Sequence, residues 1–288
     1  MATTYNNLYM DIRQQLRTAG VQASTLEARE LVCFASGKTR QQLQRDGQLY
    51  VPPTVEEQAR ALVRRHLAGE PVAYLIGEWE FYGLPLDIDR QVLIPRADTE
   101  TLVDCALPFL RGQAGSRVLD LCAGSGCIGL AVASQVADCR VTLGDISEGA
   151  LRICRQNIRR NDLSDRVAPL QVNAMAAPPR QLGTYDCILC NPPYIPTGDI
   201  AGLDVSVRDF EPHDALDGGE DGLDFYRIIA EKAPEHLKKG GVLMVEIGFD
   251  QKDAVKELLQ DTGRFEKIVG LKDLAGKDRI VVAVLAKK

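Results

Sequence analysis

From Arg117 to the C-terminus, short apolar runs alternate with stretches of helical periodicity, and that alternation restricts the chain to a layered α/β fold. The apolar runs fall at residues 117–121, 140–144, 167–172, 185–190 and 242–247, and helical stretches begin near Gly126, Ser147, Leu223 and Gln251. Helical segments lying between strands predict βαβ units and a parallel sheet. The last two apolar runs, 265–271 and 279–285, are joined through Gly276 by a loop too short for a crossover helix, so they are predicted to be antiparallel to each other. The expected sheet therefore has a five-strand parallel run ending in an antiparallel pair.

Before residue 75 the pattern is helical, with no strand. Leu8, Ile12 and Leu16 share one face, Gly20 is placed to end that helix, and Ser24 with Glu27 and Thr54 with Glu57 each fit a capping box. Residues 79–81 and 84–88 flank Gly83 as a hairpin, and a helix follows from about Asp98 to Leu110, with Asp98 as its cap. The predicted division is a helical bundle over 1–75, a β-hairpin linker over 76–95 and a sheet domain over 96–288.

Composition narrows the class. With 45% hydrophobic and 26% charged residues the chain is expected to bury a core, and it carries neither a spanning apolar run nor an N-terminal leader pattern, so a cytoplasmic location and no membrane partner are expected. A net charge of −6 argues weakly against a nucleic-acid surface. Cys187 and Cys190 form a C-x-x-C, but it lies inside an apolar strand with no second ligand pair, so free core thiols and no metal site are expected.

Two segments carry chemistry. The first, residues 118–129, is a strand, a small-residue turn at Cys122, Ala123, Gly124, Ser125 and Gly126, then a helix, an arrangement in which a ligand approaches the backbone closely. Gly124, Gly126 and Gly129 also satisfy a dinucleotide fingerprint, and Asp145, ending the next strand, could accept both ribose hydroxyls in either class. The second is Asn191-Pro192-Pro193-Tyr194, directly after the fourth strand of the sheet, at the carboxyl edge where doubly wound sheets bind ligands. Two prolines fix φ and remove two donors, leaving carbonyls that only accept; the Asn191 carboxamide both donates and accepts, and Tyr194 offers a flat face. Together they suit a planar NH2 group whose nitrogen is to meet a methyl donor. The bland alternative for each segment is a tight turn without a ligand.

These segments resemble the signatures of the seven-stranded S-adenosylmethionine-dependent methyltransferases that act on exocyclic or amide nitrogen. Residues 69–77, GEPVAYLIG, and 93–100, LIPRADTE, are similar to the linker and LIPR-x-x-T-E signature of the release factor glutamine methyltransferases, as is the C-terminal DLAGKDR at 273–279. The resemblance covers essentially the whole chain. It implies a Rossmann-like seven-stranded methyltransferase sheet, S-adenosyl-L-methionine as cofactor, and the glutamine of the Gly-Gly-Gln motif in class-I peptide-chain release factors as the methyl acceptor. By the same resemblance, Cys122 to Gly126 would wrap the methionine part of the cofactor, Asp145 would hold its ribose and Asn173 its adenine amino group. Asn191, Pro192, Pro193 and Tyr194 would grip the glutamine amide, and the helical bundle would dock the release factor. The chain departs from the pattern at three positions. Cys122 stands where the loop usually begins with glycine, so its backbone is expected to keep a conformation open to L-residues. Asn173 replaces an acidic residue, and Ala97 stands where proline is usual. A nucleic-acid adenine N6 or guanine N2 methyltransferase remains the alternative, since the same tetrapeptide serves those amines; it would want a basic channel and base flipping, and the near-neutral N-terminal part offers no such channel. A non-catalytic cofactor-binding adaptor is argued against by the intact NPPY.

Overall fold

The structure, a computed structural model, describes residues 3–176 and 182–287. The chain divides into two compact units, one comprising Met1–Gly77 and Val205–Phe210, the other Glu78–Asp204 and Glu211–Lys288.

The first unit holds α1 (Tyr5–Thr18), α2 (Ser24–Ser36), α3 (Arg40–Arg45), α4 (Pro53–Leu67) and α5 (Val72–Ile76). Leu8, Ile12 and Leu16 of α1 are fully buried with Ala28, Leu31 and Val32 of α2. Each such leucine removed from water is worth about 1.5–3 kcal/mol. Gly20 sits just past α1 with φ +84°, where a left-handed residue stops a helix. The two predicted capping boxes do not form. Ser24 is buried as the first residue of α2, which has no side-chain cap, and α4 starts two residues early because Pro53 supplies a preset first turn. The capping box that does form joins Thr39 and Gln42 at α3.

In the second unit, β1 (Glu78–Phe81) and β2 (Leu84–Asp87) make the expected hairpin. α6 (Glu100–Leu110) follows a 3₁₀ turn over Ala97–Thr99; Asp98 is not its cap, because it lies inside that turn, and its carboxylate lies 3.3 Å from Arg279 instead. Then come β3 (Arg117–Leu121), α7 (Cys127–Gln135), β4 (Arg140–Asp145), α8 (Glu148–Arg160), β5 (Val167–Gln171) and β6 (Tyr185–Cys190). The chain continues through α9 (Val205–Arg208, grouped with the first unit), α10 (Asp224–His236), β7 (Leu237–Glu246), α11 (Lys252–Asp261), β8 (Phe265–Lys272) and β9 (Asp278–Leu285). The sheet order is β5-β4-β3-β6-β7-β9-β8, parallel through β7, with β9 antiparallel to both neighbours. The order reverses between β3 and β6, and at such a switch point the loops leaving the strands open a crevice. β3 and β6 run as buried apolar strands, as expected where helices cover both faces. Among the described residues no helix is long and apolar enough to cross a membrane.

Candidate active site

An open cleft of about 670 Å³ lies at the carboxyl ends of β3, β4, β5 and β6, within the size range of small-molecule sites. Of the residues singled out by sequence, Cys122, Ala123, Gly124, Ser125, Asp145, Asn173, Asn191 and Pro193 line it; Gly126, Pro192 and Tyr194 are next to lining residues but not part of the lining.

The left side of the cleft is shaped by main chain. Cys122, Gly124 and Gly126 all have left-handed backbone, φ +59°, +55° and +81°. The sequence expectation for Cys122 is therefore corrected: it takes the glycine-like conformation despite its side chain, at a cost of roughly 1–2 kcal/mol. The three glycines serve different ends. A Cβ on Gly124 would meet nothing within 4 Å, so this position leaves room for a ligand against the backbone. A Cβ on Gly129 would lie 2.4 Å from Leu143, and one on Gly126 2.8 Å from it, so these two let α7 pack close on β4. Gly129 is thus a packing residue, which is why its spacing did not separate two ligand classes.

Asp145 ends β4 with each carboxylate oxygen accepting one main-chain N–H, Oδ2 from Gly124 at 2.8 Å and Oδ1 from Ser147 at 2.9 Å. Each oxygen keeps a lone pair for a further donor. Burial pushes its pKa up, and the N–H groups of Ser147 and Gly124 oppose that. Beneath the loop, Asp120 is fully buried; Oδ2 accepts from Gly129 N at 2.8 Å and Oδ1 has no partner among the described residues. Burial, with Asp145 adding to it, raises this carboxyl to about 8, so it is predominantly neutral at pH 7. After β5, the Asn173 Oδ1 accepts from Met175 N at 2.9 Å, a local turn that fixes its carboxamide at the cleft wall.

The right side is held by side chains. Asn191 Nδ2 lies 3.4 Å from Thr99 Oγ1. No donor among the described residues meets the Pro192 carbonyl. The Tyr194 carbonyl, by contrast, accepts from Gln251 Nε2 at 2.9 Å, and its half-buried ring packs on the sheet core. Burial pushes the Tyr194 phenol up to about 12, keeping it protonated. The aromatic ring that lines the cleft is Phe225. Ile195 pairs in a parallel bridge with Asp217, and Gly218 and Gly222 press on the Tyr194 backbone, where a Cβ would come within 2.7 Å and 2.4 Å of it. That clamp, built by the glycines of 216–222, was invisible in the sequence because its spacing matches no local motif. Two further supports were missed. Glu211 is buried and accepts from Arg96 and from the Ile94 N–H at 3.1 Å, tying the LIPR segment down. Glu246, ending β7, is only 2% exposed.

The cleft holds three carboxylates, Asp145, Asp214 and Asp217, and the arrangement of main chain and carboxamide between them suits positioning chemistry. The left side offers backbone close approach and a carboxylate for vicinal hydroxyls; the right side offers free acceptors to a planar NH2. The space over Gly124 and the spare lone pairs of Asp145 are compatible with a nucleoside bearing an amino acid.

Residues 7–77 match the family described as PrmC N-terminal domain, and residues 99–204 match the Methyltransferase small domain. A release factor glutamine methyltransferase of Thermodesulfovibrio yellowstonii is 37% identical over 91% of this chain and 92% of its own. That of Geobacter sulfurreducens is 39% identical over 93% and 92%. Among solved structures, a methyltransferase from Pyrococcus furiosus superposes with a TM-score of 0.53 at 21% identity, covering 77% of this chain and 97% of that one, a likeness of fold.

Proposed function

The chain belongs to the release factor glutamine methyltransferase family, and from that premise we propose that it methylates the side-chain amide nitrogen of the Gly-Gly-Gln glutamine in class-I peptide-chain release factors, in the cytoplasm. Support comes foremost from one observation: NPPY leaves β6 at the switch point, directly beside a glycine loop and Asp145, in a chain similar to these relatives over nine-tenths of its length.

S-adenosylmethionine is the methyl donor, and when bound it supplies an electrophilic sulfonium methyl. Residues 122–126 would hold its amino-acid part, Asp145 its ribose and Asn173 its adenine. The rest is done by this chain's own groups. An amide nitrogen is a poor nucleophile because its lone pair is delocalised, so orientation and exclusion of water must lower the barrier by several kcal/mol. Asn191 Oδ1 and the Pro192 carbonyl would accept from the acceptor NH2, and these bonds strengthen as the nitrogen becomes positive. Pro193 and Phe225 would confine its plane. No residue here is needed as a general base, since the methylated nitrogen is acidic enough to lose its proton after transfer. The helical unit, residues 1–77, would provide the docking surface for the release factor.

The test is incubation of the protein with labelled S-adenosylmethionine and an intact release factor, with the methyl located by mass spectrometry. Label on the Gly-Gly-Gln glutamine is the expected result; efficient labelling of naked nucleic acid and none of the release factor would overturn the assignment.

A further inference from the structure

Two turns stand at the acceptor end of the sheet, each gripping the cleft wall with its base and exposing an apolar side chain at its tip. The first, residues 248–251, follows β7. Gly248 N donates to Gln251 Oε1 at 2.9 Å, and Gln251 Nε2 donates in turn to the Tyr194 carbonyl at 2.9 Å and the Gly222 carbonyl at 3.2 Å. Between these anchors Phe249 stands 63% exposed.

The second turn, residues 273–277, joins β8 to β9. Pairing of Glu246 with Ile280 and of Lys272 with Asp278 brings it to the carboxyl end of β7, the edge of the sheet where the cleft opens. Its base is a buried ion pair: Arg279 Nε reaches Asp273 Oδ2 at 3.2 Å, and Asp273 Oδ1 accepts from Lys277 N at 3.0 Å. The same guanidinium donates to the Ile247 carbonyl at 3.4 Å and lies 3.3 Å from Asp98, the neighbour of the cleft residue Thr99. Main-chain bonds from Asp273 N to Lys277 O and from Gly276 N to Asp273 O close the loop, each at 2.9 Å. At its tip Leu274 is wholly exposed. Lys277 links the two turns, with its Nζ 5.6 Å from the centre of the Phe249 ring.

Scattered exposed apolar side chains are ordinary on a protein surface. These two differ in being held still. Polar residues would suit both tips, yet a buried ion pair fixes the turn that carries Leu274 and a buried carboxamide fixes the one that carries Phe249. An ordered side chain of this kind gains nothing from the folded chain alone, but it loses little freedom when a second surface covers it. The reaction decides what that surface is. A release factor is far larger than a cleft of about 670 Å³, so when its glutamine amide enters, the protein around that glutamine must lie over the rim. A ring and a leucine with one ammonium between them suit protein side chains, whereas a nucleic acid would want a row of cations for its phosphates.

We propose that Phe249, Leu274 and Lys277 form a docking edge for the acceptor protein, covered by apolar side chains that flank its reactive glutamine. The identity of that protein rests on the proposed function; the edge itself rests on the two anchored turns.

The experiment uses the full chain and an intact release factor. Phe249→Ser combined with Leu274→Ser should raise KM for the release factor tenfold or more. In that double variant kcat should stay within threefold of wild type and the Kd for S-adenosylmethionine within twofold, since neither side chain belongs to the cleft lining. Leu274→Met, which keeps the apolar area, should hold KM within twofold. As a readout independent of catalysis, benzoylphenylalanine at position 274 should crosslink to the release factor on irradiation. An unchanged KM in the double variant overturns the proposal, as does a loss carried by kcat and cofactor affinity, which would make the two turns internal supports only. Crosslinking to a second copy of this chain, or to added RNA in preference to the release factor, overturns it too. A wild-type protein that leaves the release factor unmethylated counts instead against the proposed function, and the crosslink still decides whether the edge docks that protein.

Discussion

Where β3 and β4 end, the cleft wall is main chain: left-handed backbone at residues 122, 124 and 126 and a carboxylate pinned by two N–H groups. Where β6 and β7 end, the wall is held by side chains drawn from far apart, Thr99 on Asn191, Gln251 on Tyr194 and Arg96 on Glu211. The first kind of construction suits a cofactor of fixed shape, because backbone geometry does not adjust. The second suits a reacting amide, whose hydrogen bonds must be aimed at a charge that exists only in the transition state. Substitutions on the two sides should therefore separate: the right side should move turnover and the left side binding.

The largest effect is expected at Asn191. Asn191→Ala removes the carboxamide that lines the cleft, and turnover should fall a hundredfold or more, on the order of 3 kcal/mol. The affinity for S-adenosylmethionine should change far less. Near wild-type methylation by this variant would break the contrast outright.

The next largest is at Asp145. If Asp145 holds the ribose as proposed, Asp145→Ala removes charge-assisted bonds to two hydroxyls, each worth about 1.5–3 kcal/mol. It also frees the Gly124 N–H that the carboxylate now ties. S-adenosylmethionine should bind at least tenfold more weakly in calorimetry, and saturating cofactor should restore much of kcat. An unchanged dissociation constant would remove the carboxylate from the cofactor site.

The same contrast explains what could be read from sequence. The glycine loop, Asp145 and NPPY were legible because each is a short run at a strand end, and the alternation of apolar runs and helices fixes where strand ends are. All seven strands fall on the predicted runs; β7 begins five residues early, at Leu237, because Leu237 already pairs with Tyr185 ahead of a register shift that the polar Lys238 and Lys239 hide in the sequence. The conformation of Cys122 was misjudged because a side chain there suggests ordinary backbone, whereas the turn demands a left-handed residue whatever its identity. Thr99 and Glu246 went unassigned for a different reason. One is a threonine inside a signature whose neighbours draw more notice, brought to Asn191 by the turn before α6, the other a carboxylate ending an apolar strand, set beside Asn191 only by the register of β6 against β7. The caps at Ser24 and Thr54 failed where burial of Ser24 and the preset φ of Pro53 decided the helix starts instead.

The smallest effect, and the finest test of a wall made by main chain, is at Cys122. At φ +59° a non-glycine residue costs about 1–2 kcal/mol, which Cys122→Gly would relieve. Against that, glycine loses about 0.5–1 kcal/mol more backbone entropy on folding. It also gives up the packing of a half-buried side chain on the sheet core. The opposing effects nearly cancel, so Cys122→Gly should leave stability within about 1 kcal/mol of wild type in denaturant unfolding, and the affinity for S-adenosylmethionine within threefold. Cys122→Val keeps the left-handed backbone and adds a branched Cβ, for which that region is a true outlier, so it should destabilise by about 2 kcal/mol or more. Cofactor binding should weaken with it, because Ala123 and Gly124 follow directly on the strained residue. The ordering, glycine close to cysteine and both well above valine, is what a wall set by φ requires. If valine is tolerated as well as glycine, residue 122 relaxes out of the left-handed region at no cost, and the left side of the cleft is not held by its backbone.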